Sequence, residues 1–107
     1  MFTAVPQEHF LCLDMLRVNW VSNGDSASAE CAILMEIWDS GGILQTEKAI
    51  PMDSIVTLAA PKGPVRAKVT TCTQDSYGFL IHVTVDPSEG WFPDSYCPDH
   101  LISSVPD

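Results

Sequence analysis

Asp39-Ser40-Gly41-Gly42-Ile43-Leu44-Gln45-Thr46, continued by Ile50-Pro51-Met52-Asp53-Ser54-Ile55-Val56-Thr57-Leu58, reads as turn, short strand, loop, strand. Two glycines after two small polar residues supply a tight reversal, and the apolar and β-branched residues on either side of Pro51 suit half-buried strands. Pro51 cannot donate to a strand ladder and belongs to the connecting loop.

The segments on either side extend the β pattern. Glu30 to Trp38 runs up to the glycines as a strand with apolar residues on both faces, as a central strand would show. Arg17 to Val21 alternates polar and apolar residues, whereas Glu8 to Leu16 fits either a short helical turn or an extended lead-in. Ser22 to Ser28 is turn-rich, with Asn23-Gly24 the strongest reversal signal. Val65 to Thr71 gives the cleanest alternation, with Val65, Ala67 and Val69 inward and Arg66 and Lys68 toward water. It should pair as a hairpin with Tyr77 to Val85, whose inward residues are Phe79, Ile81, Val83 and Val85. Beyond Asp86 prolines punctuate Trp91, Phe92 and Tyr96, and a short helix is expected from Asp94 or Pro98.

A length of 107 residues fits one domain with one core. Fourteen acidic against five basic side chains give a formal charge of −9, which repels the phosphates of nucleic acid and an anionic membrane surface. Neither is an expected partner. No basic segment followed by an apolar run opens the chain and no apolar stretch is long enough to span a bilayer, so a cytoplasmic location is expected. Cys12, Cys31, Cys72 and Cys97 are widely spaced and read as small buried thiols rather than a disulfide framework.

In strand order, glycine turn and final hairpin, the span from Arg17 to Asp86 resembles a PilZ domain, whose typical bacterial members bind cyclic di-GMP. The resemblance implies a six-stranded antiparallel barrel, PilZ-like or SH3-like in plan, with a short C-terminal helix. It also implies a ligand site built from an Arg-x-x-x-Arg pair and an Asp/Asn-x-Ser-x-x-Gly turn. With Gly42 at the last glycine, Asp39 stands at the serine position and Ile37 at the acidic one. Arg17 is the sole arginine of the first half, and the residue four further on is Val21. A single guanidinium does not replace a bidentate pair, so cyclic di-GMP binding is expected to be lost, or at most weak and non-standard at Arg17, Asp39 and Gly42.

Two other constellations bear on function. His9-x-x-Cys12 and Cys97-x-x-His100 are two half-sites that, if brought together, would make a Cys2His2 zinc centre. Trp91, Phe92 and Tyr96 form either a plug over one end of the barrel or a docking patch for a protein. No nucleophile, base and orienting group can be read as a set, although Cys72 and His82 lie on strands expected to pair. The expectation is a non-enzymatic regulatory or protein-interaction module with no cofactor. Its acidic surface would steer it toward a partner with a basic face, and a small zinc-binding protein is the alternative.

Overall fold

A computed structural model describes residues 9–21, 27–94, 96–98 and 100–103. Seven strands follow in chain order: β1 (Phe10–Val21), β2 (Ala27–Trp38), β3 (Gly41–Thr46), β4 (Ile55–Ala60), β5 (Gly63–Asp75), β6 (Gly78–Val85) and β7 (Ile102–Ser103). Six of them close a ring in the order β1-β2-β3-β6-β5-β4 and back to β1, with every pairing antiparallel. Two three-stranded meanders, β1-β2-β3 and β4-β5-β6, are thus joined along both margins. β7 pairs with the start of β1, on the edge that β4 takes up further along, and there Leu11 pairs with Ile102.

Closure requires the long strands to bend, and extra residues in the ladders supply the bends. Register shifts occur between Leu11 and Asp14 in β1, between Leu34 and Glu36 in β2, and between Val69 and Thr71 in β5. The shift at Met35 also exchanges the two faces of β2. Ala32 and Leu34 are buried before it and Ile37 after it, so Cys31, Ile33, Met35 and Ile37, which strict alternation would put on one face, do not share one. The β5–β6 hairpin, by contrast, forms as its alternation predicts, with Val65, Ala67, Val69, Ile81, Val83 and Val85 in the core.

The glycine pair does not form the reversal. Asp39 and Ser40 make the turn, Trp38 pairs with Gly41, Ile37 pairs with Gly42, and neither glycine has a positive φ. Both are needed for close approach of backbones. A Cβ on Gly41 would lie 2.2 Å from the Val83 carbonyl oxygen of β6, and one on Gly42 would lie 2.9 Å from that of Glu36. The turn is tied to the next strand by the Val85 amide, which donates to the Ser40 carbonyl at 2.7 Å.

Among the described residues there is no α-helix, and none that is long and apolar enough to cross a membrane. Between a 3-10 turn at Pro87–Glu89 and β7, where a helix is expected from Asp94 or Pro98, the described residues form none. That segment closes the barrel. β1 pairs with β4 only from Val18 to Trp20, and beside its first half lie β7 and the aromatic tail. Trp91 is buried and its indole Nε1 donates to the Gly41 carbonyl at 2.9 Å. The hydroxyl of buried Tyr96 donates to the Asp14 carboxylate at 2.8 Å, and Phe92 packs on Phe10. Here Trp91, Phe92 and Tyr96 serve as the plug.

Candidate functional site

Strand alternation in β1 sends Cys12, Asp14, Leu16, Val18 and Trp20 inward and the intervening residues outward. Outward in its first half are Leu11, Leu13 and Met15, exposed by 44%, 74% and 67%. Ile102 on β7, 67% exposed, stands beside Leu11, and half-buried Ile33 on β2 stands opposite Met15. Scattered apolar residues are ordinary on a protein surface, but a contiguous row flanked by further apolar side chains marks an interaction site. None of Leu11, Leu13, Met15 and Ile102 belongs to the buried core.

β1 and β2 together carry Asp14, Glu30 and Glu36 against Arg17, but Asp14 turns inward and Glu30 stands opposite buried Val18, so the outward side of the two strands carries Glu36 and Arg17. Each carboxylate has a structural contact: Asp14 accepts from Tyr96, Glu30 from the backbone amides of Glu47 and Lys48, and Glu36 lies 3.3 Å from His9 Nδ1. Lys62, Arg66 and Lys68 lie on the β4–β5 hairpin, and in the ring order β5 stands across from β2.

A shallow hollow of about 330 Å³ lies on that far side, lined among others by Ile55, Arg66, Lys68, Thr84 and Ser88. Its cations are already engaged: Arg66 Nε meets Glu89 at 3.1 Å and Lys68 Nζ meets Asp53 at 3.6 Å. Asp86 on its rim accepts the Ser88 amide and hydroxyl. Those bonds, in that order and with help from Arg66, hold its carboxyl below the usual carboxylate range. A second hollow, of about 610 Å³, is lined by Trp20, Val21, Ala27, Ala29 and Ile55 among others, and among the described residues no charged side chain lines it.

The residues singled out for nucleotide binding are not brought together. Arg17 is opposite Cys31 and Gly42 is opposite Ile37, six residues further along β2, a distance of about 20 Å at strand rise. Asp39 is exposed in the turn and Gly42 is buried.

The zinc half-sites do not assemble either. A three-residue spacing puts two ligands side by side on a helical turn, but in a strand it sends them to opposite faces. Accordingly His9 stacks on Trp38 at 4.1 Å between ring centroids, while Cys12 turns inward and its thiol donates to the Leu34 carbonyl at 3.5 Å. Burial, with Asp14 and then Glu36 adding to it, pushes the Cys12 thiol up to about 11. Cys97 and His100 are exposed, and no three metal-ligating side chains cluster among the described residues. Cys31 and Cys97 are exposed rather than buried, and all four cysteines are free. Cys72 pairs with Ile81 and packs against the core while His82 points outward, so they form no catalytic pair.

Fold and surface together define a class: a closed six-stranded antiparallel barrel with an aromatic plug and an exposed apolar row on its first strand. No protein-family model matches the chain, and no curated protein and no solved structure matches it. Sequence reading missed the Leu11–Leu13–Met15 row. Its signal is the alternation against Cys12, Asp14 and Leu16, but both sets are largely apolar and the pattern alone does not say which side faces water.

Proposed function

We propose that the chain is a non-enzymatic regulatory or protein-interaction module, working in the cytoplasm, on a barrel of PilZ-like plan that has lost cyclic di-GMP binding. The observation that carries this reading is the outward row of Leu11, Leu13 and Met15, continued by Ile102, on a barrel whose core is complete without them. Apolar surface of this kind stays costly in water until another surface covers it. Loss of the nucleotide site is supported by the separation of Arg17 from Asp39 and Gly42 along β2.

The experiment is co-purification from the source cells of the parent and a Leu13→Ser/Met15→Ser variant. The double variant keeps the net charge and alters only exposed positions, so its urea midpoint should match the parent. A protein retained in stoichiometric amount by the parent and lost from the variant is the expected result. Identical sets of retained proteins would refute the reading.

A further inference from the structure

We draw no further inference here: the strongest candidate, the outward apolar row of Leu11, Leu13 and Met15 on β1, belongs to the site already described, and nothing in the structure shows what covers it.

Discussion

Replacing Gly41 with alanine adds one methyl group where β3 meets β6, and the outcome separates two roles for the glycine pair. The new Cβ would lie 2.2 Å from the Val83 carbonyl oxygen, against a practical minimum of 3.0 Å, and 3.2 Å from Trp38 Nε1. Because the obstructing atom is backbone, the two strands must part. Overpacking of this kind costs about 1–3 kcal/mol. Parting the strands also draws the Gly41 carbonyl from the buried Trp91 Nε1, and an unsatisfied buried donor adds about 1–3 kcal/mol. Partial relaxation serves both, so the expected loss is about 2–4 kcal/mol, or at least about 10 °C in Tm for a domain of this size. Gly42→Ala, whose Cβ meets the Glu36 carbonyl oxygen at 2.9 Å, should cost about 1 kcal/mol. Urea denaturation followed by tryptophan fluorescence measures both. Asparagine gives a further contrast: it tolerates the left-handed region and would rescue a turn glycine, but at Gly41 it should be worse than alanine. A Gly41→Ala protein within about 0.5 kcal/mol of the parent, or an asparagine variant more stable than the alanine one, would refute the close-approach argument.

The plug predicts that Tyr96→Phe, which keeps its ring and gives up the hydroxyl bond to Asp14, loses about 1–2 kcal/mol, read as a lower urea midpoint at unchanged slope, and that Trp91→Phe, which gives up its bond to Gly41 and also exchanges the buried indole for a smaller phenyl ring, loses more. A surface role for these rings predicts no change. Alkylation followed by mass spectrometry should modify Cys31 and Cys97 first and Cys12 last, and the order fails if Cys12 reacts with the exposed pair. The folded Cys12 thiol holds its proton above the ordinary value of 9.0, so its contribution to stability is whole below pH 9 and is lost as pH rises toward about 11. Cys12→Ala should flatten the fall in stability across that window, and a parallel fall in both proteins would contradict the assignment. Calorimetric titration with cyclic di-GMP should give no saturation below about 1 mM; micromolar binding abolished by Arg17→Ala would reverse the reading of the missing arginine pair.

The parts of the fold legible in the sequence are those where one face is apolar and the other polar. Val65-Arg66-Ala67-Lys68-Val69 fixes its own orientation, and the β5–β6 hairpin follows. β2 is apolar on both sides and gains a residue at Met35, so its faces exchange midway with no compositional mark. Gly41 and Gly42 resemble turn residues, and only the approach of β6 reveals that space, not φ, is what they supply. Among the described residues after Asp94 no helix forms: Trp91 and Tyr96 are held by Gly41 and Asp14, and Ile102 is drawn onto β1. The zinc half-sites depended on a helical turn at His9–Cys12, where an extended chain leading into β1 instead sends His9 onto Trp38 and Cys12 inward to the Leu34 carbonyl. The apolar row on β1 became visible only once closure of the ring showed which side of the strand faces water.

The most direct measurement is site-specific photo-crosslinking in the source cells, with a benzoylphenylalanine placed at Leu13 or, as the comparison, at exposed Thr73 on β5. The interaction-face account predicts a discrete adduct of higher mass from position 13 and none from position 73. Adducts from both positions, from position 73 alone or from neither would contradict it.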